Sequence, residues 1–214
     1  MTQVSRRHLL AGAAGAAAVY GAATAHAATT SDLNICAAPK FDESFDLVVI
    51  GSGGAGLSSA VMAKQQGVKR ILVLEKMAFL GGNTAISGGG FNSYDPPRQQ
   101  AQGIKDSPEL HFENTYDGGD RRTNPELVHA MTENSYAAIQ WLESIGMKFK
   151  PNVYQIYGGL YPRCHAPYGS LGSDYIKVLK AQCDKLGIEI RTNSRVVRVP
   201  VSYTHLTLPT TSRV

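Results

Sequence analysis

Residues 45–75 read FDLVVIGSGGAGLSSAVMAKQQGVKRILVLE, and the fold is decided there. Phe45 to Ile50 is a short apolar run with β-branched residues and a turn glycine behind it, the pattern of a buried parallel strand. Gly51-Ser52-Gly53-Gly54-Ala55-Gly56 follows directly and spells G-x-G-x-x-G. Leu57 to Gln66 has helix-forming composition, Gly67 ends it, and Arg70 to Leu74 is a second strand closing on Glu75. Strand, glycine turn, helix, strand and terminal acid make up the βαβ unit that binds an adenine dinucleotide. Gly51 permits the tight turn, Gly53 leaves room for a pyrophosphate, and Gly56 lets the helix approach the strand. The helix N-terminus offers N–H groups and partial positive charge to phosphate, with Ser52, Gly54 and Ala55 in the same loop. Glu75 stands where both hydroxyls of a ribose could donate to it, and it would repel a 2′-phosphate. To this point the pattern suits NAD and FAD equally, because both carry the ADP half.

The segment after Glu75 separates the two. Lys76 leads to Gly81-Gly82-Asn83-Thr84 and then to Ser87-Gly88-Gly89-Gly90-Phe91-Asn92. A second glycine-rich crossing so soon after the ribose acid suits a cofactor whose pyrophosphate and ring system both lie along backbone. Asn83 and Thr84 can hydrogen-bond phosphate or ring edge. A nicotinamide domain normally continues from its acid into another βα unit. FAD is therefore the expected cofactor, with Lys76, Gly82, Asn83, Thr84, Gly88 and Gly89 joining the first loop and Glu75 in its cradle.

GSGGAGL, LEK, GGNT and GGGFN, in that order, resemble the flavoprotein of the fumarate reductase/succinate dehydrogenase superfamily, and within it the flavocytochrome c fumarate reductases. The resemblance continues through Asn124-Pro-Glu-Leu-Val, Ala138-Ile-Gln-Trp-Leu142, Arg163-Cys-His-Ala-Pro167 and Asn193-Ser-Arg-Val-Val197, so it spans residues 45–199. It implies an α/β, three-layer Rossmann-like FAD-binding domain of the glutathione-reductase type, incomplete in this chain, and it places the backbone of Val197 against the adenine. It also implies reduction of a small unsaturated carboxylate such as fumarate, with hydride from flavin N5 and a proton from an arginine. Within the same resemblance lie urocanate- or cinnamate-type reduction and Δ1-dehydrogenation of a 3-ketosteroid. The substrate-binding groups of such enzymes belong to segments beyond this stretch, so no catalytic residue is assigned and the chain alone is expected to be inactive. Electrons are expected from a separate donor, a multihaem cytochrome or a quinol oxidoreductase. A non-enzymatic FAD-binding electron carrier is the alternative of a different kind.

Further along, Asn124 followed by Pro125 predicts a helix start, and Gly146 its stop. Leu127, Val128, Met131, Ala138, Leu142 and Ile145 are the expected core positions of this helix. Ser173 opens another helix with Ile176, Leu179, Cys183 and Leu186 on one side, ended by Gly187; Ile188–Ile190 and Arg195–Val199 read as strands. Arg163 and His165 could shape the entrance of the site, but read first as a solvated loop with one hydrogen-bonded histidine. A second basic residue that the family carries after this histidine is Ala166 here.

The ends differ from the middle. Ser5-Arg6-Arg7-His8-Leu9-Leu10, an Ala/Gly-rich run and Ala25-His26-Ala27 predict a twin-arginine export signal over residues 1–27, served by the twin-arginine machinery and leading to the periplasm. Residues 28–44 read as a linker, 45–199 as the N-terminal portion of the FAD-binding domain, and 200–214 as a tail foreign to it. The formal charge is +4 over 214 residues, and leaving out Arg6, Arg7 and Arg213 brings it to +1, which gives no footprint for nucleic acid. Cys36, Cys164 and Cys183 are too scattered for a disulfide framework or a metal site, so no metal is expected.

Overall fold

The computed structural model describes residues 41–199 apart from Ser170; the export signal, Cys36, all but the last residues of the linker, and the 200–214 tail lie outside the described residues. Among the described residues, those from Glu43 to Val199 belong to one compact unit, which alone is described below.

Leu47–Ile50 (β1), Gly54–Gln65 (α1) and Ile71–Leu74 (β2) form the expected βαβ unit. The two strands run parallel, with Leu47 opposite Ile71 and Ile50 opposite Leu74. Gly82–Ile86 (α2) and Phe91–Asn92 (β3) follow, then Pro96–Ala101 (α3), Pro108–Gly118 (α4) and Pro125–Ser144 (α5). Cys164–His165 (β4) pairs antiparallel with β3. Ser173–Lys185 (α6) then leads into Glu189–Arg191 (β5), which joins β2 in parallel and completes a sheet of order β1-β2-β5.

Alternation along the strands decides what is covered. Val49, Ile71, Val73 and Ile190 share one face and pack with Leu57 and Val61 of α1, Ile139 and Leu142 of α5, and Ile176 and Leu179 of α6. Each such side chain removed from water contributes about 1.5–3 kcal/mol before chain entropy is charged against it. Cys183 belongs to this core, and Cys164 is buried as well. The other face of β1 differs from the expectation of a wholly buried strand. Val48 is 46% and Ile50 59% exposed, because β1 is the edge of the described sheet and no layer covers that face of it. The domain is thus incomplete, as expected.

Three helices begin alike. Asp95, Ser107 and Asn124 each accept a backbone N–H from the first turn, from Arg98 (3.1 Å), Leu110 (3.1 Å) and Glu126 (2.8 Å), and each is followed by proline.

Two corrections concern packing and strand formation. On α5 the buried positions are Val128, Thr132, Ser135, Ile139 and Leu142, whereas Leu127 and Met131 point to solvent. Thr132 and Ser135 are tolerated inside because their hydroxyls donate to the carbonyls of His129 and Thr132, and Ser93 donates to Ser135. Arg195–Val199 forms no strand: after Asn193 and Ser194 bond the carbonyls of Met77 and Glu75, the chain finds no further ladder partner.

Candidate functional site

Each glycine of the first loop answers a different demand. Gly51 has φ +96°, a left-handed turn in which β1 still donates its last ladder bond, from Gly51 N–H to the Leu74 carbonyl at 2.8 Å. A Cβ on Gly56 would overlap the carbonyl oxygen of Gly51, so this glycine is required by helix-to-strand packing. A Cβ on Gly53 would meet no protein atom nearer than 3.8 Å. The protein itself therefore leaves that position open, which fits a backbone approached by a ligand. The start of α1 carries neither a side-chain cap nor an acidic residue in its first turn, unlike α3, α4 and α5 with their capping side chains. Apart from the Gly54 N–H, which Thr84 takes, its positive end is left for an anion.

The second glycine segment lies alongside. Gly53 and Gly81 form a parallel bridge, and Thr84 Oγ1 accepts the Gly54 N–H at 3.0 Å. Gly82, Asn83 and Gly88 are exposed around the same opening, and nothing would crowd a Cβ on Gly82 or Gly88. Lys76 is exposed beyond the end of β2 and Ala55 in the first turn of α1.

Glu75 is placed at the carboxyl end of β2 but turned inward. Its Oε2 accepts the Ser52 N–H (2.9 Å) and the Ser52 hydroxyl (2.6 Å), and its Oε1 accepts the Met77 N–H (2.9 Å). Ser52, fully buried, also accepts the Gly81 N–H at 3.2 Å. The Ser52 hydroxyl bond, outweighing burial, and the backbone donors hold the Glu75 carboxyl below its usual range. Two features of these bonds bear on the sequence reading. The Ser52 N–H and hydroxyl both have protein partners, Glu75 and the Gly81 crossing. Glu75 has fewer free lone pairs than two ribose hydroxyls would use, because three of about four acceptor sites are filled.

The Ser87–Gly90 crossing is gripped from α6. Gly172 N–H donates to the Ser87 carbonyl (2.9 Å) and the Tyr175 hydroxyl to the Gly89 carbonyl (2.8 Å). Burial pushes the Tyr175 phenol far above its ordinary range, which keeps it a neutral donor. A Cβ on Gly89 would press on the Leu171 and Gly172 backbones at 2.7–2.9 Å, and one on Gly172 would overlap Thr84. Gly89 is thus required by packing, and its partners Gly172 and Tyr175 were missed by the sequence reading although a glycine before a helix start was there to notice. From this crossing a groove of about 660 Å³ runs between α1 and α5, past Met62, Ala138 and Trp141.

Val197 is 87% exposed and stands three residues past the Ser194 tether to Glu75. Arg163 and His165 do not lie in a solvated loop but are buried. Arg163 forms a buried bidentate pair with Asp106 (2.6 and 2.9 Å). His165 Nε2 lies 3.0 Å from Asp95, and its Nδ1 lies 3.1 Å from the Phe91 and Arg163 carbonyls. Burial alone would raise the Asp95 carboxyl, but hydrogen bonds from Arg98 and His165 bring it below its usual value. These pairs fasten β3, β4 and α3 together. Among the described residues no cluster of side chains could hold a metal ion, and no helix is long and apolar enough to cross a membrane.

The FAD binding domain family matches residues 46–205. Over 159 residues the chain is 36% identical to the fumarate reductase (cytochrome) of Shewanella frigidimarina, covering 73% of this chain and 28% of that protein. It is 35% identical over 142 residues to the urocanate reductase of Eggerthella lenta, 66% of this chain and 23% of that protein. The open conformation of a flavocytochrome c3 fumarate reductase superposes with a TM-score of 0.72 at 34% identity, over 77% of this chain and 29% of that one. The chain thus spans under a third of the length of these relatives.

Proposed function

From the premise that the chain belongs to the FAD binding domain family and takes FAD as its cofactor, we propose that it is the N-terminal FAD-binding part of an exported oxidoreductase reducing an α,β-unsaturated carboxylate. The observation carrying this reading is the open Gly53 position at the start of α1, where no N-cap side chain stands and Thr84 takes only the Gly54 N–H, with Glu75 and the Gly81–Gly90 crossing arranged around it. Bound FAD supplies a hydride from its N5. The chain's own groups bind and orient. The N–H groups of Gly53 and Ala55 receive the pyrophosphate, with Gly54 held by Thr84 between them, Glu75, oriented by Ser52, takes the ribose, Asn83 and Thr84 border the phosphates, and Gly82 and Gly88 let the cofactor lie against backbone. Lys76 and the Val197 backbone flank the adenine end. Residues 45–199 constitute this portion, residues 1–27 direct twin-arginine export to the periplasm, residues 28–44 link the two, and 200–214 include a tail foreign to the domain.

A fumarate reductase and a urocanate reductase among the relatives support an enoate as the substrate class. The electron donor is a separate protein, a multihaem cytochrome or a quinol oxidoreductase. The test is a longer reading frame of the same locus, purified with its flavin and assayed for oxidation of reduced viologen dye by fumarate, by urocanate and by a 3-ketosteroid. Turnover with either carboxylate supports the proposal and selects between them. A flavin-loaded protein that turns over only the ketosteroid, or none of the three, defeats it.

A further inference from the structure

Away from the FAD cradle, α4 and the turn through Gly158–Tyr161 enclose a polar pocket of about 240 Å³. Arg163, His111, Asn114, Thr115 and Asn92 line it, and among the described residues no carboxylate does. Arg163 is fixed from behind. Its Nε and Nη2 donate to Asp106, and its Nη1 donates to Asn114 Oδ1 at 3.2 Å. A guanidinium has five N–H donors, so two remain.

His111 is the unusual member. It is only 3% exposed, and its Nδ1 is buried with no hydrogen-bond partner. Native interiors seldom keep such an orphan without a reason. Burial first, then the Arg163 charge, hold the imidazole pKa down to about 4 against the opposing pull of Asp106, so the ring is neutral at pH 7.

We propose that this pocket binds a small monocarboxylate of about propionate size, with Arg163, Asn92 and Asn114 donating to it and His111 beside it. Asp106 already balances the Arg163 charge, so what favours a carboxylate is the surplus of N–H donors over acids in the lining: the two remaining guanidinium hydrogens, whose plane suits a carboxylate edge, and the Asn92 and Asn114 amides. An anion there offsets the Arg163 charge, which after burial is the second cause opposing a proton on His111, so the imidazole pKa moves upward when the ligand binds. The site stands apart from the flavin reading, and its test needs no flavin.

The 214-residue chain, labelled with ¹⁵N-histidine and ¹⁵N-asparagine, is titrated with propionate at pH 6.5 and followed by NMR. The expected result is a saturable shift of the His111 ring nitrogens toward imidazolium values, with parallel shifts of the Asn92 and Asn114 amides and none with propionamide. Asn114→Leu is expected to weaken propionate about tenfold, and His111→Phe to abolish the pH dependence; if His111→Phe does not fold, the Asn114→Leu series at pH 6.5 and 8 carries the comparison. No saturation with propionate, an equal response to propionamide, or undiminished binding in Asn114→Leu would overturn the proposal.

Discussion

At the scale of the residue, glycines that look alike in sequence divide by what their missing Cβ would touch. Gly53→Val places a side chain in space that the protein leaves empty, at φ −67° and ψ 179°, which any residue tolerates. It is expected to melt close to wild type yet lose nearly all flavin absorbance when made in a longer reading frame, and flavin content equal to wild type would refute the cradle. Gly56→Ala collides with the Gly51 carbonyl and is expected to lose roughly 2–3 kcal/mol of stability in urea unfolding. Glu75→Ala removes only acceptors and should retain more flavin than Gly53→Val. Titration adds a second check. The carboxyl of Glu75 is depressed by its Ser52 partner, so its contribution is complete above the unfolded value of 4.5 and is lost as pH falls through the lower folded value. His111 works in the same direction from another cause: its folded pKa of about 4 lies below the 6.5 of the unfolded chain. Between those values the unfolded state binds more protons, so stability falls as pH drops from 6.5 to 4, by on the order of 2 kcal/mol. His111→Leu should flatten that slope in urea midpoints measured between pH 7 and 5; an unchanged slope would remove His111 as its source.

At the scale of the element, short-range chemistry starts the helices and long-range pairs join them. Asn124→Ala should cost about 1 kcal/mol, read in chemical unfolding, because the Glu126 N–H loses its acceptor. The Asp95-Pro96 and Ser107-Pro108 starts of α3 and α4 use the same signal and were as readable as Asn124-Pro125. The buried face of α5 was harder to read, since Thr132 and Ser135 sit on it and only their local bonds make that acceptable. Arg163 with Asp106 shows what pattern reading cannot supply, a pair 57 residues apart whose Asp106 side chain is wholly buried. Arg163→Met is expected to cost about 3–5 kcal/mol by leaving that carboxylate unpaired, while Arg163→Met with Asp106→Leu recovers most of it. A double variant no more stable than the single one would mean that the pair's geometry, rather than the lone charge, dominates.

At the scale of the whole molecule, β1 sets the limit on function. Val48 and Ile50 face solvent beside the glycine loop, and the family resemblance assigns the proton donor to segments beyond this stretch. Hydride and proton must both reach adjacent substrate carbons at about 3 Å, so the 214-residue chain is expected to hold FAD weakly and to show no fumarate-dependent oxidation of reduced viologen; substantial turnover, with host reductase excluded, would mean that the catalytic groups lie within it. Export belongs to this scale too: Arg6→Lys with Arg7→Lys in a longer frame should leave precursor in the cytoplasm, and periplasmic mature protein from that variant would contradict the twin-arginine assignment. The sequence by itself determined the βαβ unit, its cofactor and the start of α5, because glycine, proline and capping signals act within a few residues. Only the tertiary structure decided that Ser52 holds Glu75 from behind, that Gly89 yields to Gly172, that Arg163 and His165 are buried fasteners, and that Arg195–Val199 goes unpaired. Each of these depends on which distant backbone or charge arrives beside the residue, and burial sets the energy of a polar group by its neighbours in space, which local sequence does not contain.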